Sequence, residues 1–340
     1  MNERYSRQVL FQPIGTKGQN LIRQKHVMII GLGALGSSIA EMLTRAGIGQ
    51  LTMIDRDYVD WSNLGRQQLY EEEDAELHLP KAIAAKQRLK KLNSDVVIHA
   101  HVMEATANDL EEFAQHNIDI MLDATDNFDI RMIINDVAQK WDIPWIYGAC
   151  VGSYGMSYTI IPGETPCLQC LLNTVPLNGP TCDTAGIISP VVQLVTAHQV
   201  AEALKLLVGD HAALRKELVA FNLWENRYQS LTIDHLKQSD CPTCGVQRTY
   251  PYLIQDTEVK TEALCGRDTV QIRPYQRIER DLSLLEQQLK RQNGVVKRNN
   301  YLLAYSTNTH RLVFFHDGRV LVHGTNNVAE ASKLYKKLIE

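Results

Sequence analysis

Four cysteines stand in two pairs, Cys167 with Cys170 and Cys241 with Cys244, and two residues separate the thiols within each pair. Thiolates at this spacing can face one ion, and two such pairs complete a tetrahedral Cys₄ zinc site. Because protein would fill all four ligand positions, we expect the Zn²⁺ to be structural rather than catalytic. The long separation between the pairs requires the fold to bring them together. A redox dithiol in either pair, or four incidental thiols, is the alternative.

Cys182 stands apart from these pairs, in a stretch flanked by Gly179-Pro180 and Gly186. A thiol in such a loop could attack an acyl-adenylate and form a thioester or an acyl-persulfide. A nearby helix N-terminus would lower its pKa and help the attack. A packed thiol without a chemical role is the alternative.

A glycine-rich turn, with Gly31, Gly33 and Gly36, follows an apolar run and opens a helical pattern. Glycines let the backbone turn sharply and approach phosphates closely, and the helix N-terminus offers free N–H groups. Asp55 ends the next predicted strand, where a carboxylate would bind ribose hydroxyls. The pattern therefore predicts a nucleotide site, with a tight turn that binds no ligand as the alternative.

Polar and cationic residues follow this acid, among them Asn63, Arg66 and Lys81. Phosphoryl or nucleotidyl transfer needs such groups, because charge on the phosphates must be neutralised as pyrophosphate leaves. Arg66 can fork onto two phosphate oxygens, and Lys81 can act as a point charge. The alternative is a solvated loop before a capped helix.

Two acids, Asp123 and Asp126, end the fourth predicted strand, and Asn127 follows them. Ligands of open α/β sheets bind beyond the carboxyl ends of the strands, so acids there could hold Mg²⁺ against a triphosphate. We favour Asp126 for this role, because Asp123 lies within the strand pattern and is expected to be buried. Helix capping by Thr125, Asp126 or Asn127 is the alternative, and both can hold.

Short apolar runs alternate with helical patterns from residue 27 onward, which predicts a Rossmann-like, doubly wound, mostly parallel α/β sheet. The predicted strands are Val27–Ile30, Leu51–Ile54, Val96–Ala100, Ile118–Leu122 and Trp145–Ala149. The predicted helices are Leu35–Ala46, Lys81–Leu92, Leu110–His116 and Arg131–Trp141. Three further strands, Tyr154–Ile161, Leu218–Asn222 and Tyr228–Ile233, suggest an antiparallel extension of the sheet.

The composition changes again after Cys244-Gly245, so we expect one domain of residues 1–245 and a small α+β domain of residues 246–340. The elements predicted for the second domain are a helix Ile278–Leu289, a hairpin of Arg311–Phe315 and Val320–His323, and a helix Val328–Ile339. It contains no catalytic motif that we recognise.

The composition excludes several classes of partner. Of 340 residues, 44% are apolar and 22% are charged, as in soluble globular proteins. The net charge of -4 lacks the excess of basic residues that nucleic-acid binding requires. The apolar stretch Ile187–Val208 contains charged residues and predicts a core helix, not a membrane span. No apolar signal core is present near Met1. Few cysteines in a long chain favour metal binding in a reducing compartment, so we expect a cytoplasmic protein.

Taken in order, these motifs resemble the E1-like adenylyltransferase superfamily, in particular the sulfur-carrier activators of the MoeB/ThiF type. The resemblance covers about residues 1 to 245, and the ordered set is far more specific than any one motif. The set comprises Arg4, Tyr5, Arg7, Gln8, Gly31, Gly33, Gly36, Asp55, Asn63, Arg66, Gln67, Lys81, Asp123, Thr125, Asp126, Asn127, both cysteine pairs, Thr181, Cys182, Ala185 and Gly186.

The resemblance implies ATP as cosubstrate, with Asp55 on the ribose, Asn63, Arg66 and Lys81 on the phosphates, and Asp126 positioning Mg²⁺. It also implies that Arg7 reaches into the neighbouring subunit's nucleotide site, so the enzyme would be a homodimer. A ubiquitin-like sulfur carrier of the MoaD or ThiS type would offer its C-terminal glycine carboxylate to ATP, giving acyl-AMP and pyrophosphate. Sulfur would then displace AMP and leave a thiocarboxylate for molybdopterin or thiamine synthesis.

Two departures from the family pattern matter. Gly65 stands where the family often has Gln, between the presumed contacts, so a small effect is expected. The final domain is too short for the rhodanese domain of some relatives, and its Cys265 lacks the six-residue anion loop. We therefore expect sulfur to come from a separate protein such as a cysteine desulfurase.

Three other functions remain open from the sequence. A NAD-dependent oxidoreductase would share the glycine turn and Asp55 but leaves Arg66, Lys81 and Asp126 unexplained. A non-catalytic scaffold would have no need for those three side chains. An activator of a different ubiquitin-like modifier or of a peptide would keep all of them.

Overall fold

The computed structural model describes residues 3–172, 185–254, 260–264, 268–274 and 277–339. These residues form two compact units. Among the described residues, the first unit comprises residues 3–172 and 186–254, and the second comprises residue 185 and the described residues from 260 to 339.

The first unit is built on one sheet of eight strands. They are β1 (His26–Ile30), β2 (Gln50–Asp55), β3 (Val97–Val102), β4 (Ile120–Asp123), β5 (Trp145–Val151), β6 (Tyr154–Ile160), β7 (Leu218–Asn222) and β8 (Arg227–Leu231). Neighbours follow the order β3-β2-β1-β4-β5-β6-β7-β8. The first five strands pair in parallel, whereas β6, β7 and β8 pair antiparallel. The predicted parallel sheet with an antiparallel extension is thereby confirmed.

Helices cover both faces of this sheet. They are α1 (Ser6–Leu10), α2 (Gly15–Ile22), α3 (Ala34–Ala46), α4 (Glu72–Glu76), α5 (Lys81–Leu92), α6 (Ala107–Ala114), α7 (Phe128–Trp141), α8 (Leu168–Leu172) and α9 (Ser189–Val208). Apolar side chains of α3, α5 and α9 join one core cluster, and those of α6, α7 and α8 join another. Strand β1 serves both clusters, because its side chains alternate between the two faces of the sheet: Val27 faces the first and Met28 the second.

Two helices begin about one turn earlier than their apolar periodicity predicts. Helix α7 begins at Phe128 because Asn127 Oδ1 accepts a hydrogen bond from Asp129 N at 2.7 Å. Helix α6 begins at Ala107 because the Thr106 hydroxyl caps it. A capping side chain satisfies free N–H groups ahead of the first buried position, so periodicity alone places such starts too late.

Helix α9 is long and apolar enough to cross a membrane by composition. It packs against α3 and against strands β5 and β6 of the sheet. Its charged residue Glu202 is buried and accepts hydrogen bonds from Thr159 at 3.2 Å and Lys205 at 2.5 Å. These contacts make α9 the core helix that the sequence predicts.

The described part of the second unit contains an antiparallel sheet and two helices. The elements are β9 (Lys260–Ala263), β10 (Thr269–Arg273), β11 (Val295–Arg298), β12 (Leu302–Ser306), β13 (Arg311–Phe315), β14 (Val320–His323), α10 (Leu282–Leu289) and α11 (Val328–Ile339). The sheet order is β11-β12-β13-β14-β10-β9. The hairpin β13-β14 and helix α11 match the sequence prediction. Helix α10 begins at Leu282 instead of Ile278, because Asp281 caps it through Ser283 N at 2.8 Å.

Candidate nucleotide site and cysteine cluster

The glycine turn leaves the carboxyl end of β1 and enters α3. Gly31 has φ +91°, and a Cβ there would lie 2.6 Å from the carbonyl oxygen of Ala124. A Cβ on Gly36 would lie 1.9 Å from the carbonyl oxygen of Gly31. At Gly33, by contrast, the nearest atom is Gln67 Nε2 at 3.8 Å. Packing therefore requires glycine at two of the positions, whereas the third leaves room beside the turn for a ligand.

Asp55 ends β2, and its two carboxylate oxygens accept hydrogen bonds from the glycine turn and from the chain that follows β2. Its Oδ2 accepts a hydrogen bond from Leu32 N at 2.6 Å, and its Oδ1 accepts one from Asp57 N at 2.7 Å. Burial raises the pKa of Asp55, while the charge of Lys81 acts in the opposite direction. The Asp55 carboxylate is therefore held beside the turn, where the sequence analysis predicts that it binds ribose hydroxyls.

Lys81 lies near Asp55 and forms an ion pair with Asp57, which the sequence analysis missed. Its Nζ is 2.9 Å from Asp57 Oδ2, and only 4% of the Lys81 side chain is exposed. The Tyr70 hydroxyl donates to Leu32 O at 2.7 Å and lies 3.4 Å from Lys81 O, so the start of α5 sits against the glycine turn. The spacing of Asp57, two residues after Asp55, is the signal that could have found it.

The loop after β2 is shaped by the side chain of Asn63, which is 1% exposed. Its Oδ1 accepts a hydrogen bond from Asp60 N at 3.1 Å and closes the short helical turn Trp61–Asn63. Arg66 is partly buried and donates from Nη1 to Ser62 O at 2.8 Å. The structure thus gives Asn63 a local structural contact in addition to the phosphate contact that the resemblance implies.

The two acids after β4 have different environments. Asp123 is fully buried, and its oxygens accept hydrogen bonds from Arg131 Nε at 2.9 Å and from Thr125 N and Oγ1 at 2.9 and 2.6 Å. Asp126 is exposed at the start of α7. Burial alone would lower the pKa of Arg131, but Asp123 and, more weakly, Asp126 raise it. Asp126 is therefore the accessible carboxylate of the two, and Asn127 caps the helix.

The remaining predicted site residues are Arg7 and Cys182. Arg7 is exposed on α1, next to Leu10, which is 71% exposed, and Phe11, which is 61% exposed. Cys182 lies outside the described residues.

The four paired cysteines meet in one buried cluster, in which Cys170 lies on α8 and Cys167 directly precedes that helix. The sulfur of Cys167 lies 3.9 Å from that of Cys170 and 3.6 Å from that of Cys241, and the sulfurs of Cys170 and Cys244 are 3.5 Å apart. With Zn–S distances of about 2.3 Å, sulfurs of a tetrahedral site lie about 3.8 Å apart. The donor set and its dimensions therefore fit a zinc ion.

Residues 5–243 match the ThiF family. This chain belongs to the ThiF family. The match includes the glycine turn, Asp55, Lys81, Asp126 and the first three cysteines of the cluster, and Cys244 lies one residue beyond its end.

Three relatives of this chain are named as adenylyltransferases. The sulfur carrier protein ThiS adenylyltransferase of Bacillus subtilis (strain 168) is 48% identical over 339 residues, covering all of both chains. The protein of the same name from Escherichia coli (strain K12) is 36% identical and covers 73% of this chain and 97% of its own length. The molybdopterin-synthase adenylyltransferase of the same strain is 31% identical, with coverage of 71% and 96%.

A solved structure has a similar fold. A crystal structure of E. coli MccB with MccA-N7isoASN has a TM-score of 0.62 at 23% identity, and the alignment covers 72% of this chain and 76% of that chain. At this identity the likeness concerns the fold alone.

Proposed function

We propose that this chain is an ATP-dependent adenylyltransferase that activates the C-terminal glycine of a ubiquitin-like sulfur carrier protein. The observation that carries the proposal is the buried Lys81, which Asp57 holds beside the glycine turn. A nicotinamide-dependent dehydrogenase uses a glycine turn and a ribose acid but gains nothing from a buried ammonium next to them. A triphosphate does gain, because its charge must be balanced when pyrophosphate leaves.

The proposed chemistry is a single displacement at phosphorus. A carboxylate oxygen of the carrier attacks the α-phosphorus of ATP, and the bond from that phosphorus to the bridging oxygen of pyrophosphate breaks. The products are acyl-AMP and pyrophosphate. The glycine turn and the N-terminus of α3 would hold the phosphates, Asp55 would bind the ribose, and Arg66 and Lys81 would balance the departing charge. Asn63 would contact the phosphates beside Arg66, whose backbone N–H donates to Asn63 O at 3.1 Å.

Asp126 is the residue that fits Mg²⁺, because its carboxylate is exposed at the carboxyl edge of the sheet while Asp123 is occupied by Arg131 and Thr125. Hard divalent cations prefer carboxylate oxygens and keep several waters. When bound, Mg²⁺ would supply further charge neutralisation on the phosphates. Asn127 would support Asp126 by starting α7 at this point.

A homodimer fits the surface of α1. Arg7, Leu10 and Phe11 are all exposed there, and two large apolar side chains beside a cation are typical of a surface that a partner covers. A second copy would place Arg7 at the neighbouring nucleotide site. Phe11→Asp should convert the dimer to monomer in sedimentation experiments and reduce adenylation, and an unchanged sedimentation coefficient would contradict this arrangement.

Zinc is the metal that fits the four-cysteine cluster, where it would hold α8 to the chain near residue 241 as a structural ion. Metal analysis of purified protein should find one tightly bound zinc per chain. A zinc-free protein with full stability and activity would remove this part of the proposal.

The carrier is proposed to be of the ThiS type, because the B. subtilis relative that aligns along the whole chain is a ThiS adenylyltransferase. In this proposal, residues 1–245 form the adenylation domain and 246–340 a small additional domain. The enzyme would act in the cytoplasm, and a separate protein such as a cysteine desulfurase would supply sulfur, with Cys182 as the residue to test for a covalent intermediate.

The proposal is tested by exchange of labelled pyrophosphate into ATP in the presence of purified ThiS-type or MoaD-type carriers. Exchange should require a carrier with an intact C-terminal glycine and should be faster with the ThiS type. Lys81→Met should reduce exchange by about 10²-fold or more, the scale of losing one charge-stabilising group. Lys86→Met, on the exposed side of the same helix, is the matched control. Carrier-independent exchange, or full activity of Lys81→Met, would contradict the mechanism.

A further inference from the structure

Two adjacent residues of α7, Asn135 and Asp136, each contact one of the two cysteine pairs. Both side chains are fully buried. Asn135 Oδ1 accepts a hydrogen bond at 2.8 Å from the backbone N–H of Leu168, which lies between Cys167 and Cys170. The first pair is therefore tied to α7 by its own backbone.

Asp136 makes the corresponding contact to the second cysteine pair. Its Oδ1 accepts a hydrogen bond at 2.6 Å from the hydroxyl of Thr243, which is fully buried between Cys241 and Cys244. Its Oδ2 accepts one at 2.8 Å from the backbone N–H of Tyr252. One carboxylate thus holds the second pair and the chain that follows it.

We propose that Asn135 and Asp136 are positioning residues that set the two cysteine pairs at the separation a metal ion requires. This inference rests on the proposed zinc site. Cys167 and Cys241 are 74 positions apart in sequence, so no local turn can set the distance between the pairs. Two neighbouring positions on one helix can, because a helix keeps them in a constant relation.

The cost of these contacts argues that they serve a purpose. A buried carboxylate is expensive to desolvate and is retained only when hydrogen bonds compensate it. Asp136 has such compensation from the Thr243 hydroxyl and the Tyr252 N–H, and within the described part of the chain no cation hydrogen-bonds to it. Groups that orient metal ligands in this way typically change metal affinity by about 10- to 100-fold when they are lost.

The test compares zinc release from the full chain to a chromogenic chelator in four variants. Asp136→Ala removes both acceptors, and Thr243→Val removes the hydroxyl while keeping the branched shape. Asp136→Asn keeps both contacts, because the amide oxygen can accept from Tyr252 and the amide nitrogen can donate to the Thr243 hydroxyl. Lys140→Gln is the matched control, since Lys140 lies on the same helix with 42% of its side chain exposed.

Release should accelerate by about tenfold or more in Asp136→Ala and Thr243→Val. Asp136→Asn and Lys140→Gln should release zinc at the wild-type rate, at a temperature where circular dichroism reports all variants folded. If Asp136→Ala does not fold, Thr243→Val against the same control decides the question.

Equal release rates in Thr243→Val and Lys140→Gln would overturn the positioning role, even if the wild-type protein holds zinc and adenylates its carrier. Wild-type protein without zinc would overturn both this role and the zinc site, and it would leave the adenylation proposal standing on the separate exchange assay. Failure of exchange alone would leave the release comparison intact.

Discussion

Replacing Arg131 with methionine should destabilise the first unit strongly, because the change removes the cation that faces a buried carboxylate. The Arg131 Nε to Asp123 Oδ2 distance is 2.9 Å, and the two side chains are 7% and 0% exposed. Removing one partner of such a pair costs about 3–5 kcal/mol. The carbonyl oxygens of Thr125 and Gly148 also lose a donor, at 2.5 and 3.3 Å from Arg131 Nη2. We therefore expect the upper part of that range.

Urea unfolding followed by tryptophan fluorescence measures this effect in the first unit alone. All four tryptophans lie there, at Trp61, Trp141, Trp145 and Trp224. With a denaturant slope of about 3 kcal/mol per M, the midpoint should fall by about 1–1.7 M. Arg45→Met is the matched control, because it breaks an ion pair with Glu41 in which the arginine side chain is 59% exposed. That change should cost about 0–1 kcal/mol.

The pH dependence gives a second test of the same reasoning. Burial raises the pKa of Asp123 above its ordinary value of 3.8, and Arg131 opposes this rise. Without Arg131 the pKa rises further, so the folded variant binds a proton more tightly than the unfolded chain. The deficit in stability is then complete above the folded pKa and shrinks as the pH falls through it. Adding Asp123→Asn to the Arg131→Met variant should likewise recover part of the lost stability. A midpoint shift no larger than that of Arg45→Met, or a deficit constant with pH, would refute the reasoning.

Two further predictions concern the glycine turn and a buried histidine. Gly36→Ala should destabilise the first unit by about 1–3 kcal/mol and raise the KM for ATP, because the new Cβ would lie 1.9 Å from Gly31 O. Gly65→Ala is the control: a Cβ there has nothing within 4 Å, so the urea midpoint and the KM should change little. Equal effects of the two substitutions would contradict this prediction. Burial lowers the pKa of His26 below its ordinary value of 6.5. The Nε2 atom of this histidine lies 2.8 Å from the Thr52 hydroxyl. The unfolded chain therefore protonates first and stability falls as the pH drops below about 6.5. In His26→Gln, the urea midpoint should decrease less between about pH 7.5 and pH 5.5 than it does in the wild-type protein. An equal decrease in both proteins would argue against this prediction.

Most of the sheet could be predicted from the sequence, because strand and helix periodicities are local properties. Five predicted parallel strands, three antiparallel strands and the helix Lys81–Leu92 are all present. The largest errors in element bounds are at helix starts, where caps such as Asn127 precede the apolar pattern, whereas strand bounds differ by at most two residues. In the second unit, strands β9 to β12 escaped prediction, since their short runs carry no turn signal as clear as Asp317-Gly318 between β13 and β14.

The candidate site was predicted in its parts rather than in its arrangement. The sequence analysis named Asp55 and Lys81, but the residue that joins them to one another, Asp57, came only from the structure. It likewise favoured Asp126 over Asp123 as the residue that positions Mg²⁺. It gave no indication that Arg131 pairs with the buried Asp123 carboxylate. The assigned roles of these residues stay predictions until the exchange assay is done.

By itself, the sequence determined the alternation of strands and helices, the glycine turn and the two Cys-x-x-Cys spacings, because each depends on contacts within a few residues. Only the tertiary structure decided which distant groups meet: Lys81 with Asp57, Arg131 with Asp123, and both cysteine pairs with Asn135 and Asp136. Spacing along a chain specifies which way a side chain points on its own helix or strand. Its partner depends on how those elements pack, and in this chain the packing brings together thiols 74 residues apart in a buried cluster.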